Sequence, residues 1–327
     1  MIRGLARQFV VALVVGALLG LWVGPLPGPM AHAAGRPAYT IADPTLFVYV
    51  PSNAELHQPV QVLVAMHGMG GNGKEFCQSL IAAAERNGWI VVAPTFRYQD
   101  YMNPALVLQD DLSFLPRLKA TLDDLPRRTG VATRDRVLLY GHSRGAQAVH
   151  RFATYYPERT LGVAAMSAGS YTLPLATTVD GTGGTGGRAQ QLPLPYGVAD
   201  LRARLGRDFD AEAFKQVRFQ VEVGGQDGNP NETPRAWDPY LGRSRIDRAR
   251  AYTQALQELG VPAELRVYPE AGHGISPQMH NDALTFLQQV ATSVASPAPV
   301  VPDYGLGAAR GILASGAVVE AAALSRR

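Results

Sequence analysis

The chain has 327 residues, 46% of them hydrophobic and 17% charged, a balance that supports a packed core and excludes an intrinsically disordered chain. Its formal charge is +3, and residues 1–34 contribute Arg3 and Arg7 with no Asp or Glu, so the remainder stands at +1. That excess is too small to point to a nucleic-acid partner. Cys77, the single cysteine, has no second thiol to pair with inside the chain and sits among Phe76, Leu80 and Ile81, which reads as a core thiol.

The first 34 residues read as an export signal. Arg3 and Arg7 form a basic start, residues 9–23 are almost uncharged and apolar, Pro25, Pro27 and Pro29 break the run, and residues 31–34 supply small residues for cleavage. The apolar run is short for a membrane span, which needs about 20 residues. The expectation is an extracytoplasmic protein, secreted or held in the cell envelope, with no stable membrane span once residues 1–34 are removed.

A single domain is expected over 35–295. Residues 46–50 and 60–66 are rich in Val and Leu and read as strands. Residues 75–87 have helical spacing, 89–93 form an apolar strand closed by Pro94, and 105–128 read as one long helix bent at Pro116. A strand at 136–140, a helix at 145–156 and a strand at 161–166 follow. Regularity lapses over 170–213, which holds the glycine run 181–187 and is expected to be a small irregular insertion over the site edge. Strands at 217–223 and 265–268 and helices at 245–259 and 277–294 complete the domain. Strands alternating with helices imply an α/β fold with a mostly parallel sheet and helices on both faces. Residues 296–327 read as a Pro-, Ala- and Gly-rich tail.

The chemistry concentrates in three loops. Gly141-His142-Ser143-Arg144-Gly145 follows an apolar strand and opens a helix, the context in which a nucleophilic Ser stands exposed on a sharp turn over a positive helix end. Gly141 and Gly145 remove side chains where strand and helix nearly touch. A Ser hydroxyl needs a base, and the base needs an orienting carboxylate. His273, flanked by Gly272 and Gly274, is the candidate base. Asp227, in the turn after the strand at 217–223, is the candidate acid. Both loops lie at carboxyl ends of strands, where open α/β sheets place their sites. Asp238 and Asp247 are the rival acids, and Asp247 is already explained as a helix cap. His280 reads as solvated on a helix and His150 as structural. The third loop, His67-Gly68-Met69-Gly70-Gly71, offers backbone amides to an oxyanion. The expected donors are the amides of Met69 and Arg144, with His67 bracing the loop. The loop lacks the Lys-Ser/Thr ending of a phosphate cradle, so nucleotide binding is not expected.

Taken together, the loop at 67–71, the elbow at 141–145, Asp227 and His273 resemble the α/β-hydrolase superfamily, and within it the secreted esterase, feruloyl esterase and polyhydroxyalkanoate depolymerase-like serine hydrolases. The resemblance covers roughly residues 45–294. It implies an α/β-hydrolase fold with an eight-stranded sheet, and hydrolysis of small-molecule or polymeric esters with no cofactor and no metal. Some relatives of that group carry disulfides, which this chain cannot form internally. The triad motifs identify the substrate poorly. The Arg144 side chain either leans toward the pocket or is salt-bridged elsewhere. Phe96, Tyr98, Tyr101, Met102, Tyr171 and Tyr196 are candidate pocket residues, and Trp237 a candidate cover for the cleft mouth. A peptidase, an acyltransferase and a non-catalytic binding module are the competing functions.

Overall fold

The computed structural model describes residues 38–54, 58–179 and 189–294. The export signal and the C-terminal tail expected from sequence lie outside these residues. An unbroken apolar run such as Val62–Met66 is stable as a strand only when both of its faces are covered, and that strand (β3) is buried throughout, near the middle of an eight-stranded sheet. Around it lie β1 (Tyr39–Asp43), β2 (Leu46–Val50), β4 (Ile90–Pro94), β5 (Val137–His142), β6 (Thr160–Met166), β9 (Arg218–Gly224) and β10 (Ala263–Tyr268). The order is β1-β2-β4-β3-β5-β6-β9-β10. The first two strands join antiparallel and the other six are parallel. A separate hairpin pairs β7 (Thr177–Val179) with β8 (Ala189–Gln191).

Alternation along the strands divides the core in two. Val62, Val64 and Met66 of β3 face one cluster with Val137 and Leu139 of β5, while Leu63 and Ala65 face the other with Leu138 and Tyr140. Helices α3 (Pro104–Asp123), α5 (Arg144–Tyr155) and α9 (Arg245–Glu258) cover the first face. Helices α2 (Ile81–Asn87) and α10 (Pro277–Val294) cover the second. Short helices α1 (Gly73–Phe76), α4 (Leu125–Thr129), α6 (Leu201–Leu205), α7 (Ala211–Phe214) and α8 (Asp238–Leu241) fill the connections.

Most expected elements are present, with instructive differences. The helix expected at 75–87 is three pieces, because the chain passes through a 3-10 turn at Cys77–Leu80 between α1 and α2. The helix expected at 105–128 runs through Pro116 and breaks instead at Asp124, where Pro126 has no amide to continue the ladder. Strand β1 was not expected: its residues are mostly exposed and show no apolar run. In the described parts of 170–213, Tyr171, Leu173, Leu192, Leu194 and Leu201 enter the main core. Cys77 is fully buried, and burial pushes its thiol up to about 11.

The chain leaves β3 toward β4 on one side and β5 toward β10 on the other. This reversal makes the carboxyl ends of β3 and β5 the switch point of the sheet. Met66 pairs with Gly141 there, so the loops that follow the two strands start side by side.

Candidate active site

Ser143 lies between the last residue of β5 and the first of α5, with φ 55° and ψ −117°. A positive φ in a residue with a side chain stores of order 1–3 kcal/mol and persists only where neighbours enforce it. Here the Ser143 amide donates to Met166 O at 2.8 Å and its carbonyl accepts from the Gln147 amide at 3.1 Å. Two glycines let strand and helix meet. A Cβ on Gly141 would lie 2.6 Å from Gly145 O, and one on Gly145 would lie 2.0 Å from Met66 O. The Arg144 amide is the first of α5, among the donors a helix start leaves without an intrahelical partner.

The imidazole of His273 reaches this hydroxyl. Its Nε2 is 3.0 Å from Ser143 Oγ, and its Nδ1 is 2.9 Å from Asp227 Oδ2. The carboxylate can only accept, so Nδ1 carries the proton and Nε2 accepts from the hydroxyl. Asp227 is buried, while His273 is partly open to solvent. The two loops that carry them interlock: Gly225 N donates to Tyr268 O at 2.7 Å and Gln226 N to Ala271 O at 3.0 Å. Any side chain at Gly224 would lie 2.2 Å from Gly272 O.

The turn at 67–71 packs against the elbow, with Gly68 beside Ser143 and His142. His67 is buried, its Nδ1 donates to Gly68 O at 2.7 Å, and its Nε2 accepts from the Phe96 amide at 3.0 Å. Burial lowers its proton affinity, so the neutral tautomer these bonds require is favoured. Met69 is 41% exposed and borders two recesses beside Ser143 and His273. The larger, about 550 Å³, runs toward Asn72, Glu75 and Phe76. The smaller, about 210 Å³, is bordered by Tyr101, Gln147, Glu232 and Arg245.

Other sequence expectations fall elsewhere. The Arg144 side chain is buried, donates to Asp111 Oδ1 at 2.7 Å and stacks 4.6 Å from the centre of the Tyr98 ring, so it does not lean into the pocket. Trp237 does not cover the cleft mouth; it is fully buried and its indole N–H donates to Tyr171 O. Tyr171 is likewise core, and of the aromatic candidates Tyr101 borders the smaller recess. His280 is not simply solvated, because its Nδ1 lies 2.9 Å from the Tyr140 hydroxyl. His150 is fully buried, with Nδ1 donating to Ala146 O and Nε2 accepting from the Thr172 amide. Asp238 pairs with Arg235 and Arg248, and Asp247 closes the capping box at Ser244.

Two contributors escaped the sequence reading. His142 Nε2 donates to the His273 carbonyl at 2.6 Å, and burial pushes the His142 imidazole down to about 4, so it is a neutral tether for that loop. Its position inside the Gly-His-Ser-Arg-Gly stretch was the available signal. Arg245, buried at the start of α9, donates to Asp227 Oδ1 at 2.8 Å, and nothing in the sequence marks it. Among the described residues, no group of three or more His, Cys, Asp or Glu is arranged to hold a metal, and no helix is long and apolar enough to cross a membrane.

A hydroxyl, an imidazole and a carboxylate stand in series at the switch point of a mostly parallel sheet with helices on both faces, beside a glycine-rich turn, the architecture of an α/β hydrolase. The chain belongs to the alpha/beta hydrolase family, whose model matches residues 62–285, more than half its length. Among solved structures it is similar to poly(aspartic acid) hydrolase-1 from Sphingomonas sp. KT-1, at 21% identity and a TM-score of 0.54 over 78% of this chain and 97% of that one. It is also similar to TT1662 from Thermus thermophilus, at 21% identity and a TM-score of 0.50 over 77% and 98% of the two chains. The ferulic acid esterase from the anaerobic fungus Anaeromyces mucronatus aligns at 14% identity and a TM-score of 0.49, over 77% and 88%. At these identities the likeness concerns the fold. No curated protein matches the chain.

Proposed function

We propose that this protein is an exported serine hydrolase that cleaves carboxylic esters through Ser143, His273 and Asp227. The observation that carries the reading is the continuous hydrogen-bonded series from Ser143 Oγ through His273 to Asp227, at 3.0 and 2.9 Å. In this mechanism the hydroxyl oxygen attacks the ester carbonyl as His273 Nε2 takes its proton. The tetrahedral oxyanion is held by the amides of Met69 and Arg144. His273 returns the proton to the departing alkoxide, and Ser143 is left acylated. Water then gives up a proton to His273, attacks the acyl carbonyl and restores the hydroxyl. Asp227 keeps the imidazole in the reactive tautomer and stabilises its charged form. No step requires a metal or a cofactor.

The two recesses on either side of Met69 support a substrate extended on both sides of the scissile bond, a small molecule or a segment of a polymeric ester. Family membership and a base partly open to solvent favour turnover over a binding-only role. The basic-apolar-small pattern of residues 1–34 supports export, and N-terminal sequencing of protein recovered outside the cytoplasm checks it, a start near residue 35 being expected. The central test is Ser143→Ala with a chain-length series of p-nitrophenyl esters. Turnover should fall by ~10³-fold or more with the fold intact, and labelling by a fluorophosphonate should vanish. Retained turnover removes Ser143 as nucleophile. An aminoacyl anilide and an added alcohol, run in parallel, distinguish a peptidase or an acyltransferase from an ester hydrolase.

A further inference from the structure

Of the two carboxylate oxygens on Asp227, Oδ2 faces His273 and Oδ1 faces Arg245. The guanidinium is itself anchored. Nη1 also lies 3.2 Å from Glu232 Oε2, Nη2 donates to the Glu232 carbonyl at 2.8 Å, and the side chain is 5% exposed. Asp227 is 1% exposed and Glu232 49%. A chain of charge thus runs from the rim of the smaller recess inward, through Glu232, Arg245 and Asp227, to the imidazole beside Ser143.

We infer that Arg245 is a positioning residue of this site, which fixes the Asp227 carboxylate toward His273 and links it to the exposed carboxylate of Glu232. The inference rests on the Ser143–His273–Asp227 reading above. A buried carboxylate with one oxygen unpaired is free to turn about its terminal torsion and to recruit a water or a proton. Arg245 closes that option by holding Oδ1 through a charge-assisted bond. Because α9 starts at Arg245 and is capped by Ser244 and Asp247, the guanidinium is presented from a rigid helix end.

The same placement makes the charge of Arg245 act on His273 when the imidazole takes up a proton. Asp227 then sits between two cations, and Arg245 opposes the imidazolium that Asp227 favours. Glu232, whose proton affinity is lowered by hydrogen bonds from Asn229 and Arg245, offsets part of that opposition. The other charged or titratable groups around His273 do not duplicate this effect. His142, with its ring centre 5.1 Å away, is held neutral by burial, and the Arg144 charge is matched by Asp111. Tyr101 borders the same recess from the loop that precedes α3.

The experiment follows kcat/KM against pH on a p-nitrophenyl ester for the full protein and for Arg245→Met, Arg245→Lys and Glu232→Gln, each normalised to sites titrated by a fluorophosphonate. Arg245→Met should move the acid limb upward by about one unit and lower kcat per titrated site by ~10-fold or more. Arg245→Lys should return the limb toward the original position while recovering only part of kcat. Glu232→Gln, a substitution at an exposed group, should move the limb downward. Opposite displacements by the two charge removals are the signature. Limbs unmoved in both variants, or moved in the same direction, overturn the inference, as does a loss in Arg245→Met that normalisation to titrated sites abolishes. If Arg245→Met does not fold, Glu232→Gln decides: a downward displacement supports the inference, and an unmoved or raised limb overturns it. Failure of the underlying reading is separately visible, because Ser143→Ala would then keep its turnover whatever Arg245 does.

Discussion

Gly145 and Met66 sit so close that a Cβ on the glycine would lie 2.0 Å from the Met66 carbonyl oxygen and 2.6 Å from that of His67. The first turn of α5 is thereby pressed onto the end of β3, where the turn at 67–71 begins. The nucleophile elbow and the proposed oxyanion loop are set against each other at this one contact. Gly145→Ala places a methyl group against backbone that has no rotamer to give. It should cost about 3 kcal/mol or more in unfolding free energy and reduce fluorophosphonate labelling in the protein that still folds. Denaturant unfolding and active-site titration measure the two effects.

Asp227→Asn keeps the shape of the acid and removes its charge. The amide can present an N–H to His273 and stabilise the wrong tautomer, so kcat should fall by ~10⁴-fold with KM little changed. Asp238→Asn should leave kcat per titrated site near its original value, because Asp238 pairs with Arg235 and Arg248 away from the imidazole. Steady-state kinetics on one activated ester decide between the acids, and the reverse ranking would transfer the role to Asp238.

Asp111 is buried and bridges two buried guanidinium groups, Arg144 Nη2 at 2.7 Å and Arg151 Nη1 at 3.0 Å. Asp111→Ala removes the carboxylate paired with Arg151 and leaves Arg144 only Asp110 Oδ2 at 3.7 Å, both guanidinium groups buried beneath the elbow. Removing one partner of a buried ion pair costs about 3–5 kcal/mol, and the midpoint of chemical denaturation should shift accordingly. The loss should exceed that for Asp124→Ala, whose Arg127 and Arg128 partners sit in solvent.

Glu222 is fully buried on β9, accepting from Gln220 Nε2. Burial pushes its carboxyl up from the ordinary 4.5 to about 7. The folded protein therefore keeps a proton that the unfolded chain releases across that window. Its contribution to stability is complete below 4.5 and is lost as pH rises toward 7. Glu222→Gln cannot titrate. Its stability relative to the parent should be lowest in acid and climb as pH rises from 4.5 toward 7, by up to about 3 kcal/mol. Thermal melts of both proteins at matched pH values give the difference curve, and a flat curve would mean that Glu222 is ionised in the fold.

Much of the site was legible because its requirements are local. A hydroxyl on a strand-to-helix turn demands Gly141 and Gly145 within two residues of Ser143, and a base on an exposed turn tolerates Gly272 and Gly274. What failed in the reading concerned the direction of long side chains. Arg144, Trp237 and His280 each occupied a suggestive position, and each found its partner far along the chain, at Asp111, Tyr171 and Tyr140. Arg245 was missed for the same reason, since its contact with Asp227 spans 18 residues and two elements. The break of the long helix at Asp124, where the sequence suggested only a bend at Pro116, is a milder case. Pro116 lies within α3, where packing of Leu115 and Leu118 into the core outweighs the missing amide bond.

Sequence alone determined the alternation of strands and helices, the elbow and the three residues able to form a nucleophile, base and acid, because hydrophobic period and glycine placement act over a few neighbouring positions. Only the tertiary structure decided that Ser143 and His273, 130 residues apart, lie within hydrogen-bond reach, and that Arg245 holds the far side of Asp227. Those distances depend on the order in which strands add to the sheet and on how their loops close over its edge. No local propensity encodes that order; it follows from burying both faces of β3 and β5 at once.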